Sequence, residues 1–386
     1  MSDQRTEKTR LLGRIRRVVV KIGSNVLASA DGLRRERIAS LAGEIAGLVA
    51  GGRQVVVVTS GAVAAGAAHV GGARAPERIE WRQAAAAVGQ IGLMAAYEAA
   101  FAAHGRRVAQ VLLTHADLAD RRRYLNARHT FRTLLDLGVV PIVNENDTVA
   151  VEELRFGDND NLSALTASLV EADMLVILSD VAGLHTADPA VDAAATLVPV
   201  ARPDDPVVER AAGPSRTGVG TGGMASKLAA ARKAAAAGIP TMIADGARAG
   251  ILGTVFDPAR EAGTLIVADG DPLARRKHWI AYTLKPAGAV HVDAGAERAV
   301  SAGGRSLLPS GIRRVEGAFG VGDCVRCVGP EGREFARGLV AYTAVELERI
   351  KGAHTRDIER LLGYKGSDEV IHRDDLVVVA PPGTVG

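Results

Sequence analysis

The chain contains 386 residues, of which 47% are hydrophobic, so it has enough apolar material for two or three folded domains. Its formal net charge of +3 is small for this length, and binding to nucleic acid or to a membrane would therefore need a local basic patch. The composition excludes a disordered chain and predicts a folded, soluble protein.

Residues 1–10 are polar and charged and lack the apolar core of a signal peptide, so we expect a disordered tail over residues 1–14. The most apolar long segment, residues 83–105, consists mostly of alanine and contains Gln90 and Glu98. Because alanine gains little free energy in lipid, this segment predicts a buried helix rather than a membrane span.

Short apolar runs alternate with helical patterns in the larger, N-terminal part of the chain. Continuous apolar runs are typical of parallel strands covered on both faces, and repeated β/α units predict an α/β fold in which helices sandwich a mainly parallel sheet. Such a sheet binds ligands at the carboxyl ends of its strands. In chain order the predicted strands are 17–22, 54–59, 108–114, 139–144, 174–179 and 241–244, the predicted helices are 34–49, 82–104, 121–137, 161–171 and 224–237, and a hairpin-like segment is 151–156.

The composition changes after residue 267, where a turn rich in aspartate and glycine and a basic cluster are typical of a linker. Beyond it, short strands broken by glycine turns predict a small β-rich module with one helical segment at 343–351. We therefore expect a first domain over 15–270, a linker over 271–284, a second domain over 285–380 and an unstructured end over 381–386.

Cys324 and Cys327 are the only cysteines and lie in a β-like run. Positions three apart on a strand point to opposite faces, so we expect one thiol to face inward and the other outward. This arrangement favours neither a zinc site nor a redox pair, and the low cysteine content fits a reducing cytoplasm.

A glycine-rich segment, Gly-Thr-Gly-Gly-Met-Ala-Ser-Lys at 220–227, stands directly before an alanine-rich helix. Its glycines allow backbone N–H groups to converge on an anion, the helix N-terminus adds a partial positive charge, and Lys227 adds a full one. The segment therefore predicts a polyphosphate site. Two alternatives stay open, a plain flexible loop and a dinucleotide fold with G-x-G-x-x-G spacing at Gly218, Gly220 and Gly223.

The predicted strands end in polar clusters. Lys21 lies between Val20 and Ile22 in the first strand, where burial of its charge without an anionic partner would be costly, and the second strand ends in Ser60. Ser179 and Asp180 end the strand 174–179 and would suit a nucleotide base or ribose, although a simple turn explains them equally well.

Carboxylates and amides cluster at Asn144-Glu145-Asn146-Asp147 and again at Gly157-Asp158-Asn159-Asp160-Asn161. Either Asp158 or Asn159 would cap the helix that follows, but capping accounts for one residue only. Together such groups can hold an ammonium group and the hydration shell of Mg²⁺. With two lysines and anion loops they fit phosphoryl transfer, which needs positioned charges and little covalent chemistry.

From about residue 17 to residue 376 the chain resembles the glutamate 5-kinases, which are amino acid kinases with a C-terminal PUA domain. The resemblance implies a three-layer αβα sandwich with a mainly parallel central sheet and a small β-barrel-like PUA domain. The motifs that carry it are Val-Val-Lys-Ile-Gly-Ser at 19–24, Val-Thr-Ser-Gly-Ala-Val at 58–63, Asn-Glu-Asn-Asp at 144–147, Gly-Asp-Asn-Asp-Asn-Leu-Ser-Ala at 157–164, Gly-Thr-Gly-Gly-Met at 220–224, Leu-Leu-Pro-Ser-Gly-Ile at 307–312 and His-Arg-Asp-Asp-Leu at 372–376.

The resemblance implies that ATP and L-glutamate react, with Mg²⁺, to give ADP and γ-glutamyl phosphate in proline biosynthesis. It also implies feedback inhibition by proline and a homodimer or homotetramer. The implied roles are catalysis for Lys21, Lys227 and Asp160; glutamate binding for Ser60, Asp147 and Asn159; Mg²⁺ for Asp158 and Asp160; and ATP binding for Lys21, Ser179, Asp180, Thr221, Gly222, Gly223, Met224, Ala225, Ser226 and Lys227.

RNA binding by the second domain is the rival hypothesis. PUA domains occur in RNA-modifying enzymes, and this one carries a set of arginines, although a solvated face explains them more simply. Binding through such residues would weaken as salt is added. The arginines are Arg313, Arg314, Arg326, Arg333 and Arg337.

Overall fold

The computed structural model describes residues 12–29, 32–70, 79–150, 159–189, 191–211, 223–268 and 286–379. The chain divides into two compact units, one formed by Met1–Leu118 with Ala127–Asp269 and the other by Ala119–Asn126 with Gly270–Gly386. The predicted hairpin, linker and C-terminal end lie outside the described residues. The predicted disordered tail is wrong at its last residues, because the apolar side chain of Leu12 is buried in the core of the first unit.

The first unit contains a large sheet that runs from one edge to the other in the order β5-β6-β4-β1-β7-β9-β10-β8. Its described strands, together with the short pair β2 and β3, are β1 (Arg17–Ile22), β2 (Ala28–Ser29), β3 (Gly32–Leu33), β4 (Gln54–Thr59), β5 (Val108–Leu113), β6 (Val140–Glu145), β7 (Met174–Ser179), β8 (Val200–Ala201), β9 (Thr241–Asp245) and β10 (Thr264–Ile266).

The strand β1 lies inside this sheet and pairs in parallel with β4 on one side and β7 on the other. Its valines are fully buried because helices cover both faces, which explains why its sequence is a continuous apolar run. Among the described strand pairs of this sheet, only β9 with β10 is antiparallel, and β8 pairs in parallel with β10. The predicted α/β sandwich with a mainly parallel sheet is confirmed.

The helices connect these strands and supply the outer layers. Those described between residues 24 and 255 are α1 (Ser24–Leu27), α2 (Arg35–Ala50), α3 (Ala62–Val70), α4 (Ile79–Ala102), α5 (His115–Ala119), α6 (Arg121–Asp136), α7 (Asn159–Leu169), α8 (Pro206–Ala211), α9 (Met224–Ala236) and α10 (Ile251–Val255). Sequence periodicity predicted the long ones and missed the short ones, because four to nine residues carry too little pattern.

The long helix α4 has one side in the core and one side facing outward. Leu93, Tyr97 and Phe101 are fully buried, whereas the side chain of Ile91 is 75% exposed. In the described part of the chain, α4 is the helix whose length and apolar character would suit a membrane span, and 44% of its most apolar window is buried. The prediction of a buried helix therefore holds for the side of α4 that faces the core.

The second unit contains a five-stranded sheet in the order β12-β11-β13-β14-β15, with strands β11 (Gly288–Val292), β12 (Ile312–Gly317), β13 (Cys324–Val328), β14 (Glu334–Leu339) and β15 (Leu376–Val378). Among these strands β11 and β13 pair in parallel and the other neighbours are antiparallel. The described helices are α11 (Ala294–Ser301), α12 (Ala344–Ile350) and α13 (Ile358–Leu362). The predicted small β-rich module is confirmed.

The predicted helix at 343–351 is observed as α12, and it begins with a capping box. The hydroxyl of Thr343 accepts a hydrogen bond from the backbone N–H of Glu346, and the Glu346 carboxylate accepts one from the N–H of Thr343. These reciprocal bonds satisfy N–H groups that the first turn of a helix leaves without partners, so the sequence itself fixes where α12 begins.

The two cysteines lie on opposite faces of β13, but both are buried. Cys327 belongs to the main core of the second unit, and Cys324 packs with Leu339 and Val377 in a small separate cluster. The prediction of an outward-facing thiol is therefore wrong, because apolar side chains from β14 and β15 cover the second face of the sheet as well.

Two glycines allow α3 and α4 to pack with their backbones in contact. A Cβ atom added to Gly66 would lie 1.7 Å from the carbonyl oxygen of Ala85, and one added to Gly89 would lie 1.9 Å from that of Ala62. These distances are far shorter than a van der Waals contact, so a larger residue at either position forces the helices apart.

Replacing Gly89 with alanine is therefore expected to lower the free energy of unfolding by about 3 kcal/mol. Gly92 on the same helix is the matched control, because an added Cβ there meets nothing within 4 Å. Gly92→Ala should raise stability by about 0.5–1 kcal/mol through better helix propensity. Chemical denaturation of the two variants tests the contact, and equal stabilities would contradict it.

Candidate active site

The carboxyl ends of β1, β4, β6 and β7 meet at one edge of the central sheet, and two helices begin there. The helix α7 packs against all four strands, and α9 packs against α7. In each strand the apolar run gives way at this edge to polar side chains. Parallel strands bring these chain positions together, as the sequence predicted.

A single buried carboxylate joins the two predicted catalytic lysines. Asp160, in the first turn of α7, forms an ion pair through Oδ1 with the ammonium group of Lys21 on β1. Its Oδ2 lies 3.4 Å from the ammonium group of Lys227 on α9. Asp160 is 1% exposed, Lys21 5% and Lys227 4%, so the three charges are almost completely withdrawn from water.

The pKa values in this cluster follow from burial opposed by the neighbouring charges. Burial alone would raise the pKa of Asp160, but the charges of Lys21 and Lys227 and the hydrogen bonds from Lys21 and Ser226 hold it below its ordinary value. Burial lowers the pKa of Lys227, and the proximity of Lys21 lowers it further, against the opposing charge of Asp160. The carboxylate stays ionised and holds together two ammonium groups that repel each other.

The start of α9 supplies the groups predicted to hold phosphates. Gly223 is the N-cap in an extended conformation, and Met224, Ala225 and Ser226 form the first turn. The hydroxyl of Ser226 lies 2.7 Å from Oδ2 of Asp160 and 2.9 Å from the carbonyl oxygen of Gly223. The glycine segment thus ends in a helix whose N-terminus adds a partial positive charge beside Lys227.

Asn159 connects the ends of two strands to the start of α7. Its side-chain Nδ2 donates to the backbone oxygen of Thr59 at 2.8 Å, to the hydroxyl of Ser60 at 2.9 Å and to Oδ1 of Asn144 at 3.1 Å. Its own Oδ1 is buried, and among the described residues it has no hydrogen-bond partner. A donor from a bound ligand would satisfy this orphaned acceptor.

Asp147 lies beyond the end of β6, near the acidic side chain of Glu145. Burial and the charge of Glu145 raise its pKa to about 6, and the charge of Arg82 opposes this increase. A carboxylate that is costly to ionise becomes much more stable when a cation binds to it. Asp147 therefore has the electrostatic character expected of a group that receives an ammonium ion.

Ser179 ends β7, Asp180 follows it, and Asp180 is hydrogen-bonded to α1, the short helix after β1. The Ser179 hydroxyl donates to Oδ1 of Asp180 at 2.9 Å, and the side chain of Asn25 donates to Oδ2 at 2.7 Å. The hydrogen bond from Asn25 is the main cause that lowers the pKa of Asp180, and the bond from Ser179 adds to it. An exposed, firmly oriented carboxylate next to the predicted phosphate site suits contact with a nucleotide.

The structure thus brings Lys21, Ser60, Asn159, Asp160 and Lys227 into one connected cluster, with Ser226 bonded to it. Asp147 and the pair Ser179–Asp180 lie at neighbouring strand ends of the same sheet edge. Asp158, Thr221 and Gly222 lie outside the described residues, so their predicted roles stay predictions.

The contacts of Asp160 do not support its expected metal role. Lys21 takes one carboxylate oxygen, and Lys227 and Ser226 approach the other. Within the described ranges, no group of three or more His, Cys, Asp or Glu side chains is arranged to hold a metal ion. This donor set does not fit a resident Mg²⁺ ion at Asp160, because two ammonium groups already neutralise the carboxylate.

Sequence reasoning missed several residues that hold this cluster in place. Asn144 bonds to Asn159 and to Gln90 of α4, and the hydroxyl of Tyr97 bonds to Thr59 at 2.8 Å. The sequence signalled Asn144 through its place in an acidic motif. In the alanine-rich sequence of α4, Gln90 argued only against a membrane span, and Tyr97 gave no signal of a contact with the site.

Comparison with known proteins gives matches for both units. Residues 16–245 match the amino acid kinase family, and residues 288–362 match the PUA domain. The chain is 52% identical over 370 residues to the glutamate 5-kinase of Pelobacter propionicus, which covers 96% of this chain and 99% of that protein. It is 51% identical over 379 residues to the glutamate 5-kinase of Myxococcus xanthus, which covers 98% of this chain and 100% of that protein.

Among solved structures, the UMP kinase of Bacillus anthracis aligns with a TM-score of 0.48 and 20% sequence identity. The alignment covers 66% of this chain and 97% of that one.

Removing the charge of Asp160 is expected to destabilise the fold, because Lys21 and Lys227 would then be buried without a counter-charge. Asp160→Asn should lower the free energy of unfolding by about 3–5 kcal/mol at pH 7. The folded pKa of Asp160 lies below its unfolded value of about 3.9, so its stabilising contribution is complete above that pH and is lost only as pH falls through the folded pKa.

Chemical denaturation at pH 7 and pH 5 should therefore give the same difference between the wild type and Asp160→Asn. The control is Asp180→Asn, the same chemical change at an exposed carboxylate, which should cost about 1 kcal/mol or less. A difference at Asp160 that vanishes between pH 7 and pH 5 would contradict a lowered pKa.

Proposed function

The chain belongs to the glutamate 5-kinases, within the amino acid kinase family, and carries a PUA domain, and we propose that it phosphorylates the γ-carboxylate of L-glutamate with ATP. The products are ADP and γ-glutamyl phosphate, and the reaction is the first step of proline biosynthesis. The observation that carries this proposal is the buried ion-pair cluster in which one carboxylate holds two ammonium groups at the ligand edge of the sheet.

The two lysines supply what phosphoryl transfer needs most. The γ-phosphoryl group passes through a loose transition state with charge spread over its oxygens, and positioned cations stabilise that charge. Lys21 and Lys227 approach from different elements and are held ready by Asp160, so little reorganisation is needed when ATP binds. In this proposal they neutralise the bridging and transferring oxygens.

The acceptor side of the edge suits an amino acid. The orphaned Oδ1 of Asn159 and the carboxylate of Asp147 are both acceptors, which an ammonium group can satisfy. The hydroxyl of Ser60, already bonded to Asn159, is available to a substrate carboxylate as a donor. We assign these three residues to the binding of L-glutamate.

The nucleotide side is formed by the ends of β7 and the start of α9. Asp180, oriented by Ser179 and Asn25, is assigned to the nucleoside part of ATP. The segment from Thr221 to Lys227 is assigned to its phosphates. Mg²⁺ arrives with ATP as part of the substrate, and Asp158 keeps its predicted role near that ion.

Three finer features belong to the same proposal and rest on the family. They are feedback inhibition by proline, assembly into a homodimer or homotetramer, and a cytoplasmic location. RNA binding by the second unit is the less favoured alternative, because ion pairs engage part of its basic surface: Arg313 bonds to Asp293, Arg314 to Glu316 and Arg337 to Glu334.

The proposed reaction is tested by trapping the acyl phosphate with hydroxylamine. We expect ATP-dependent hydroxamate with L-glutamate and little with aspartate or N-acetylglutamate, because the first shortens the chain and the second removes the ammonium group. Hydroxamate formed equally well from N-acetylglutamate would overturn the assignment of the substrate.

Lys227→Ala is expected to lower kcat in this assay by about 100-fold or more, because it removes a cation that acts on the transferring group. The matched control is Arg232→Ala on the same helix, whose side chain bonds to the backbone of Pro203 at 3.0 Å instead. Its kcat should stay within about twofold of wild type, since this bond lies away from the reacting groups. Near-normal hydroxamate formation by Lys227→Ala would refute the role of this lysine.

The pKa of Asp147 predicts a pH dependence of glutamate binding. Because its folded pKa is about 6, the carboxylate is ionised above that pH and is neutral below it. The value of kcat/KM for glutamate should therefore fall as pH decreases through about 6. Asp147→Asn should raise KM for glutamate and abolish this step in the profile.

Asp136→Asn, at an exposed end of α6, is the control and should leave the profile unchanged. If Asp147→Asn keeps the wild-type KM, the ammonium group binds elsewhere.

A further inference from the structure

A second set of contacts joins α7 to α9 and to the end of β5, and it involves residues without an assigned role. Asn161, the residue after Asp160, accepts a hydrogen bond at Oδ1 from the ammonium group of Lys233 on α9. Its Nδ2 is bonded to Nε2 of His115, the first residue of α5. On the other side of the ring, Nδ1 of His115 lies 3.9 Å from Oε1 of the buried Glu145.

The chemistry of these groups allows one arrangement of their hydrogens. An ammonium group only donates, so Asn161 must turn its oxygen toward Lys233 and its NH₂ group toward His115. An NH₂ group also only donates, so Nε2 of His115 must be the acceptor and the ring proton must lie on Nδ1. The Nδ1–H group then stands opposite the carboxylate of Glu145, which is a favourable contact between a dipole and a charge.

The helix α9 links these contacts to the catalytic cluster. Lys227 and Lys233 both belong to α9, and they contact the consecutive residues Asp160 and Asn161 of α7. The contact between Asn161 and Lys233 therefore holds in place the first turn of α7, from which Asp160 reaches Lys21 and Lys227. At the far end of this chain of contacts, Nδ1 of His115 lies 3.9 Å from Oε1 of Glu145. The pKa of Asp147 is raised by burial first and by the charge of Glu145 second.

We propose that His115, Asn161 and Lys233 form a relay of positioning residues for phosphoryl transfer. The relay holds the first turn of α7 in register with α9, so that Asp160 meets Lys227 while Asn159 meets Ser60. This inference rests on the proposed kinase function. A misplacement of reacting groups by about 1 Å costs up to about 100-fold in rate, so loss of the relay should act on kcat.

A double-mutant cycle tests the relay. Asn161→Ala and Lys233→Ala should each lower kcat for hydroxamate formation by about tenfold, and the double variant should also lose about tenfold, because all three changes break one connected unit. Lys233→Arg keeps a cationic donor and should restore most of the rate. Arg232→Ala, on the same helix but outside the relay, should stay within about twofold of wild type.

Losses that multiply to about a hundredfold in the double variant would overturn the relay. Lower melting temperatures with kcat unchanged would overturn it too, because they would show a role in stability only.

A second measurement, made on the wild-type protein, does not depend on activity. The ring-nitrogen NMR signals of His115, assigned by comparison with His115→Gln, should report Nδ1–H and an unprotonated Nε2 at neutral pH. The opposite tautomer would overturn the relay. If the wild-type protein shows the expected tautomer but forms no hydroxamate from glutamate, the proposed function is wrong and the relay is not. The two failures can therefore be distinguished.

Discussion

The geometry of this site depends on one buried carboxylate that is shared by two buried ammonium groups. Taken from water singly, each of these charges would cost several kcal/mol, and the two lysines also repel each other. The negative charge of Asp160 offsets the repulsion between the two lysines, and its lowered pKa keeps the carboxylate ionised. The cluster therefore holds two cations in fixed positions before any phosphate binds. Positioned cations of this kind are the central requirement of phosphoryl transfer.

The fold supplies the three charges from three separate elements. β1 is a central strand, so Lys21 emerges at the sheet edge between two neighbouring strands. α7 begins over that edge with Asn159 and Asp160 side by side, one turned toward Ser60 and the other toward the lysines. In the proposed function, adjacent residues of a single helical turn therefore fix the acceptor side and the phosphate side of the site.

Much of this arrangement could be predicted from the sequence, because it depends on strand order and strand ends. The apolar run around Lys21 and the glycines before α9 were enough to predict that Lys21 and Lys227 lie at the same edge of the sheet. The Lys21–Asp160 pair and the contacts of Asn161 could not be predicted, since they depend on how side chains pack between elements distant in sequence. The prediction that one of the two thiols faces outward was wrong for a related reason, because the alternation of side chains along a strand does not reveal what covers the second face of the sheet.

A structure of the protein with a non-hydrolysable ATP analogue, Mg²⁺ and glutamate tests the central claim most directly. The account predicts that the ammonium groups of Lys21 and Lys227 both lie about 3 Å from oxygens of the β- or γ-phosphate, with Asp160 still in contact with them. A triphosphate bound elsewhere, with both lysines still paired only to Asp160, would contradict it.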